Sequence, residues 1–376
     1  MNKKRFITVV AIAVLAIGVF VGVNNMKQGD AVRIGAVLPL TGNMAPYGIS
    51  IQQGIDLALE EINASGGING HRFENIYEDS QGDPKTGVSA FNKLQMVDKV
   101  PLVFGSLTSI VLAIQPEADK NEVVLVNTSA ISPLINEKSE DFLFNLITNS
   151  VTEATAMAEK FQSQYPNERI AVFHVNNPST TYTMDMFIET LTQLGNSNII
   201  RETFEIETSD FRVHLDRIRR SGAKYGYMIA FSNKEFADIL RQTRELNLDI
   251  QWFSISGFEA NETIELAGNA ANGIIYSYPK IVDETLHSNF QKKYNDKYNG
   301  IADIYTTNSY DIVLLIAEVM KKYGTTGPDI QRGLRSIDDY YGIFGKFKLS
   351  DYGKQYVVRE FIWKTIKDGE FKIVDF

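Results

Sequence analysis

From Ala31 onward the chain alternates short runs rich in β-branched and aromatic residues with longer runs whose apolar positions recur every three or four residues. Few folds tolerate that rhythm. Strands separated by helical stretches are not joined by tight turns, so they pair in parallel through crossovers, with helices covering the sheet. Val32 to Leu38 reads as the first strand, and the helical face Ile51, Ile55, Ala58, Leu59, Ile62 follows it. Gly66, Gly67 and Gly70 end that helix, and Phe73 to Tyr77 is the second strand. Asp83 and Pro84 supply an N-cap and a first-turn proline for a helix running to about Val97. Leu102 to Phe104, Val123 to Val126, Ile170 to His174 and Tyr225 to Phe231 continue the series. The tail differs, because Tyr356 to Lys364 and Phe371 to Val374, joined at Asp368-Gly369, form an antiparallel hairpin pattern.

A length of 376 residues predicts two or three globular units. The βα rhythm restarts around Ser150 and again around Pro279, which divides the chain into two lobes. We expect one from 31–148 plus 281–342 and the other from 149–280 plus 343–376, with residues 1–29 set apart. No low-complexity linker separates them.

Composition excludes several functions. Hydrophobic residues make up 44% and charged residues 22%, so the chain can build real cores. The net charge is −9 and no stretch interleaves Lys and Arg with aromatics, which argues against nucleic acid as a partner. Cysteine is absent, and His71, His174, His214 and His287 lie far apart, so thiolate chemistry and zinc sites have no footing. There is no Gly-x-Ser-x-Gly elbow, no phosphate-binding Gly-x-x-x-x-Gly-Lys loop and no His-Glu-x-x-His helix. Gly82 to Gly87 holds a Lys-Thr pair without the glycine spacing such a loop requires. Asp79 and Asp83 lack the further ligands of a calcium loop and read as a turn. Trp252 and Trp363 sit in strand-like runs as packing residues. The expectation is a protein without catalysis or cofactor.

Lys3, Lys4 and Arg5 precede the apolar run Phe6 to Val23, the pattern of an export segment. Its length lies between a cleaved signal and a minimal spanning helix. Ala16 and Gly18 offer a small-x-small cleavage site, and retention as an inner-membrane anchor is the rival reading. Contact with the membrane is expected only here, with the rest of the chain extracytoplasmic.

The stretch Ile34-Gly35-Ala36-Val37-Leu38-Pro39-Leu40-Thr41-Gly42, then Tyr47-Gly48, Gly54, Glu61-Ile62-Asn63 and Gly66-Gly67-Ile68-Asn69-Gly70, forms a recognisable order. With Asp79, Asp83-Pro84, Gly105, Thr108-Ser109, Ser129-Ala130, Ser132-Pro133, Leu240-Arg241-Gln242, Ala267-Gly268 and Gly273 it resembles the type I periplasmic solute-binding proteins of the Leu/Ile/Val-binding family. The resemblance implies an α/β fold of two Rossmann-like lobes with parallel sheets, joined by a three-crossing hinge. It also implies closure on a small amino-acid-like or carboxylate or amide solute, and delivery to the permease subunits of an ABC transporter.

Ligands of open α/β sheets bind beyond the carboxyl ends of strands, where helix N-termini present N–H groups. Gly105, Thr108 and Ser109 lie at such a point, although Ser109 is also placed to act simply as a helix cap. The resemblance puts Tyr47 over the ligand and carries Ser129, Ser150, Ser179, Thr180, Ser232 and Phe258 into the candidate set. It places the usual ammonium-binding groups at Ile131 and Ser256, neither of which carries a negative charge. A desolvated ammonium without an acceptor costs several kcal/mol. Either Glu259 or Glu235 supplies the acid from a shifted loop, or the ligand has no ammonium. The loops Asn176 to Tyr182 and Ser232-Asn233 are rich in neutral hydrogen-bonding groups, as turns commonly are. Two roles follow: a receptor for an importer, or a membrane-anchored sensing module of the same fold that signals to a partner protein.

Overall fold

The computed structural model describes residues 27–132, 134–137, 141–337, 340–347 and 359–376. Phe6 to Val23 and the start of the tail pattern at Tyr356 lie outside them. In chain order the elements begin with β1 (Lys27–Leu38), α1 (Ala45–Ala64), β2 (His71–Asp79), α2 (Pro84–Met96), β3 (Leu102–Gly105), α3 (Thr108–Lys120) and β4 (Val124–Asn127). Next come α4 (Leu134–Glu137), β5 (Leu143–Asn145), α5 (Ser150–Gln164), β6 (Ile170–Val175), α6 (Pro178–Gln193), β7 (Ile199–Phe204), α7 (Arg212–Ser221), β8 (Tyr225–Ile229) and α8 (Asn233–Glu245). The rest are β9 (Gln251–Ser254), α9 (Asn261–Ala267), β10 (Ile275–Pro279), α10 (Glu284–Tyr298), α11 (Ile304–Tyr323), α12 (Gly327–Arg335), β11 (Tyr340–Gly342), β12 (Gly345–Phe347), β13 (Phe361–Lys367) and β14 (Glu370–Ile373).

Contacts group the chain into two units. The first comprises Met1–Thr128, Glu140–Phe144 and Tyr305–Tyr340, the second Ser129–Ser139, Asn145–Ile304 and Tyr341–Phe376. Residues 281–304, counted with the first lobe from the sequence rhythm, group with the second unit.

The first unit holds a sheet in the order β2-β1-β3-β4-β5. The pairs β1·β2, β1·β3 and β3·β4 are parallel. Leu102-Val103-Phe104 and Val124-Leu125-Val126 are fully buried, without polar alternation, because helices cover both faces of these strands. Each such side chain contributes about 1.5–3 kcal/mol on burial. Ile51, Ile55 and Ala58 of α1 and Ile110, Val111 and Ile114 of α3 supply the covering layer, all fully buried. The first strand starts at Lys27 and not Val32, because Lys27 pairs with His71 across a register shift. Two glycines let α1 approach its neighbours. A Cβ on Gly48 would lie 2.0 Å from the Pro39 carbonyl oxygen, and one on Gly54 would lie 2.3 Å from that of Thr306.

The second unit repeats the plan with an addition. Its sheet runs β14-β13-β10-β9-β8-β6-β7. The five strands from β10 to β7 are parallel, while β13 joins β10 and β14 joins β13 antiparallel. The hairpin expected from Asp368-Gly369 is therefore an edge extension of a parallel sheet. Its core gathers Met157, Phe161, Ile170, Val172, Phe187, Tyr227 and Phe253. Trp252 is 4% exposed, and its indole N–H donates to the Thr243 hydroxyl at 3.2 Å.

Candidate functional site

Written with β1 and β6 each as strand one, the strands of the first sheet and the five parallel strands of the second fall in the order 2-1-3-4-5. Chains leave strands one and three in opposite directions, and the crevice beyond their carboxyl ends is where such sheets hold ligands. That point lies after β1 and β3 in the first unit, and after β6 and β8 in the second.

In the first unit, Asp79 at the end of β2 ties down the loop after β1. Its carboxylate accepts from the Leu40 N–H at 2.9 Å, the Thr41 hydroxyl at 2.6 Å and the Gln81 N–H at 2.8 Å. Slight burial raises its pKa, but these donors outweigh it and hold the group below its usual range. Asp83 caps α2 through the Thr86 N–H at 2.8 Å. Both aspartates thus serve turns. Tyr47 in the first turn of α1 is half-buried, its ring edge-on to Tyr305 with centroids 5.1 Å apart. Gly105 ends β3, and its carbonyl accepts the Thr128 hydroxyl at 3.0 Å.

Thr108 and Ser109 occupy the first two positions of α3. The cap position belongs to Leu107, with φ +67° and no side-chain cap bond, so Ser109 does not cap this helix. A leucine at positive φ costs about 1–3 kcal/mol and persists only where its surroundings impose it. Helix α1 likewise starts at Met44 without a side-chain cap.

The second unit treats its hydroxyls differently. Helix α6 starts on Asn177, whose side chain accepts the Thr180 N–H at 3.0 Å, and the Thr180 hydroxyl donates to the Val175 carbonyl at 2.5 Å. Ser232 caps α8 in a reciprocal box with Glu235. Ser150, at the start of α5, is buried against the Thr183 hydroxyl, which donates to the Ser179 carbonyl at 3.0 Å. The Ser150 N–H donates to the Ile131 carbonyl at 2.8 Å, while Ser129 and Ile131 are half-buried. Ser256 is 7% exposed in the short 3₁₀ turn after β9. Phe258 in that turn is fully buried, with its ring against Phe236 and Tyr276.

Neither acid considered as a substitute acceptor is available. Glu235 receives the N–H groups of Glu207, Phe231 and Ser232 at 2.8, 2.8 and 3.1 Å. Glu259 is 5% exposed, accepts the Tyr276 hydroxyl at 2.6 Å and pairs with Lys364. The acid that sequence reasoning missed is Glu153. It lies in the first turn of α5, 4% exposed, and its Oε1 accepts the Ser256 N–H and the Ser277 hydroxyl, each at 3.3 Å. Burial pushes its carboxyl up to about 7, only partly offset by these donors from Ser256 and Ser277. An acid next to Asn149-Ser150 reads in sequence as an ordinary first-turn helix residue, so no pattern marks it.

Among the described residues no group of acids and histidines is arranged to hold a metal ion, and no helix is long and apolar enough to cross a membrane. His174 is fully buried, its Nδ1 against the Val175 carbonyl at 2.9 Å, and burial lowers its pKa.

The periplasmic binding protein family model matches residues 31–369. The chain is 25% identical over 381 residues, the full length of both, to Leu/Ile/Val-binding protein homolog 1 of Brucella abortus. A leucine-binding protein of Thermotoga maritima superposes with a TM-score of 0.83 at 22% identity, covering 92% of this chain and 98% of its own. A Rhodopseudomonas palustris solute-binding protein in complex with benzoate superposes with a TM-score of 0.82 at 18% identity, covering 92% and 96%. With the family model spanning nearly all of the sequence beyond its first thirty residues, the chain belongs to the periplasmic binding protein family.

Proposed function

We propose that this protein is the receptor of an ABC importer and captures a small carboxylate-bearing solute by closing its two units on it. The family is one of extracytoplasmic solute receptors and not of enzymes. The observation that carries the reading is the start of α3 at Leu107, Thr108 and Ser109, whose N-cap residue makes no side-chain cap bond, beyond the strand pair where the sheet order reverses. A helix N-terminus carries about half a positive charge and offers N–H donors to an anion. Tyr47, at the start of the other helix leaving that point, adds apolar ring area.

Relatives divide by what they bind: leucine in the Thermotoga protein, benzoate in the Rhodopseudomonas one. A carboxylate is common to both. Ser129, Ser150, Ser179, Thr180, Ser232 and Ser256 are the groups we assign to the second unit's share of the contact, with Ile131 as an apolar wall.

The test is a thermal-shift screen of the protein against amino acids, aromatic carboxylates, amides and polyols. Solute at about 100 times its dissociation constant adds roughly 2.7 kcal/mol of stability. Compaction in solution scattering accompanies the stabilising solute, and stabilisation by polyols alone sinks the carboxylate reading. Retention of Phe6 to Val23 favours the second reading, an anchored sensory module. A mature N-terminus near Val19 removes that support.

A further inference from the structure

The end of the first unit's sheet opposite the carboxyl ends of β1 and β3 has features that solute binding does not use. There β1 opens at Lys27, paired with His71 at the start of β2. The turns that lead into β2 and β3 and the loop after α11 line an open cavity of about 640 Å³, with Arg33, Asn69, His71, Asp98, Lys99 and Gly324 among its residues. The Asn69 side-chain amide donates to the Lys321 carbonyl at 3.4 Å, which ties the end of α11 to the turn before β2.

Cations gather at this end. Arg33 and Arg72, both more than half exposed, share the single carboxylate of Glu74 at 3.6 and 3.4 Å, so one positive charge is left over. Lys99 is exposed and makes no ion pair among the described residues. Lys322 is exposed, its ammonium over the Tyr323 ring at 4.9 Å. Lys93, Lys120 and Lys321 have acids of their own in Glu78, Glu117 and Glu318, and the exposed Glu122 stands against the surplus. Met96 and Val97, where α2 ends, are 63% and 70% exposed. A single exposed apolar residue needs no account, but two adjacent ones beside exposed cations suit a headgroup layer.

The sequence puts a membrane segment next to this end. The apolar run finishes at Val23, and the four peptide steps to Lys27 span at most about 14 Å. A chain that keeps Phe6 to Val23 in a bilayer therefore holds the start of β1 near the leaflet surface. We propose that this end of the first unit is a docking face for an anionic phospholipid leaflet. Met96 and Val97 enter the boundary between headgroups and acyl chains, while Arg33, Arg72, Lys99 and Lys322 take lipid phosphates. The inference goes beyond the solute reading and rests on the chain that retains its apolar run. The carboxyl ends of β1 and β3 then point away from the bilayer.

Because the chain has no cysteine, a single introduced thiol takes the only label. Val97→Cys and Lys85→Cys mark the two ends of α2, about 18 Å apart. Each full-length chain, carrying a fluorophore, is reconstituted in phosphatidylcholine vesicles with or without phosphatidylglycerol, in the presence of a quencher-bearing lipid. With phosphatidylglycerol the probe at position 97 is expected to be quenched and the one at 85 to stay bright. Raising the salt concentration should release it. Arg72→Gln and Lys99→Gln should each lower the docking equilibrium about fivefold. Equal quenching at both ends, quenching at 97 that ignores phosphatidylglycerol, or charge removal without effect overturns the proposal. A mature amino terminus beyond Val23 overturns it too. Shielding of the probe at 97 that grows with protein concentration in the absence of vesicles assigns the face to a second copy and likewise overturns it. None of these outcomes alters the solute screen, so the receptor reading stands or falls separately.

Discussion

In the first unit the helices that leave the sheet's reversal point, α1 and α3, start at Met44 and Leu107 with no side-chain cap. In the second unit their counterparts, α6 and α8, start on Asn177 and Ser232, whose side chains take up N–H groups of their own first turns. One topology thus has two electrostatic endings. The first unit starts these helices without a side-chain cap from Met44 or Leu107, while the second caps its own and buries Glu153 in the first turn of α5.

The sharpest way to break the comparison is to treat the two buried acids alike. Glu259→Gln strands the Lys364 ammonium, which is 14% exposed, and is expected to cost about 3–5 kcal/mol in urea unfolding. Glu153→Gln is expected to act in the opposite direction. The folded state prefers the neutral form of Glu153, so this stabilising preference is complete below about pH 4.5 and is lost as pH rises to about 7. At pH 8 the glutamine variant should exceed the wild type by about 3 kcal/mol, and near pH 4.5 the difference should vanish. Equal effects of the two substitutions, or a pH-independent gain, would erase the distinction between an acid paired with a cation and one held by neutral donors.

Cap removal comes next in size. Ser232→Ala should cost about 1 kcal/mol, because the Glu235 N–H loses its acceptor. Leu107→Gly should change stability by less than about 1 kcal/mol, since relief of positive-φ strain offsets the greater freedom of glycine when unfolded. Denaturant midpoints measure both. Affinity for a carboxylate should nevertheless drop several-fold in Leu107→Gly, as the start of α3 is no longer held in place. A cap-sized loss at Leu107 would mean that its side chain stabilises the helix like any other.

The alternation of strand and helix was readable because fully buried runs such as Leu102 to Phe104 and Val124 to Val126 carry their signal locally. Element ends were less readable. Lys27 to Asp30 are polar and join β1 only through pairing with a distant strand, beginning at His71. In the candidate site, the loops of Gly105 to Ser109 and Asn177 to Thr180 were legible as strand-to-helix turns. Glu153 was not, because its burial is created by Ser256 and Ser277, more than a hundred positions away. Glu235 and Glu259 misled for the same reason, since only the folded chain shows the N–H groups and the lysine that already occupy them.

The antiparallel hairpin at the end of the chain has a consequence for biosynthesis. Strand β13 covers the edge of β10, where Tyr276 and Tyr278 are buried, yet it follows β10 only after three intervening helices. A ribosome that stops before Phe361 releases a second unit with β10 as a bare margin of aromatic-rich backbone, the kind of margin that recruits other chains. The hairpin therefore acts as a seal on that edge, and a chain cut before it is expected to aggregate.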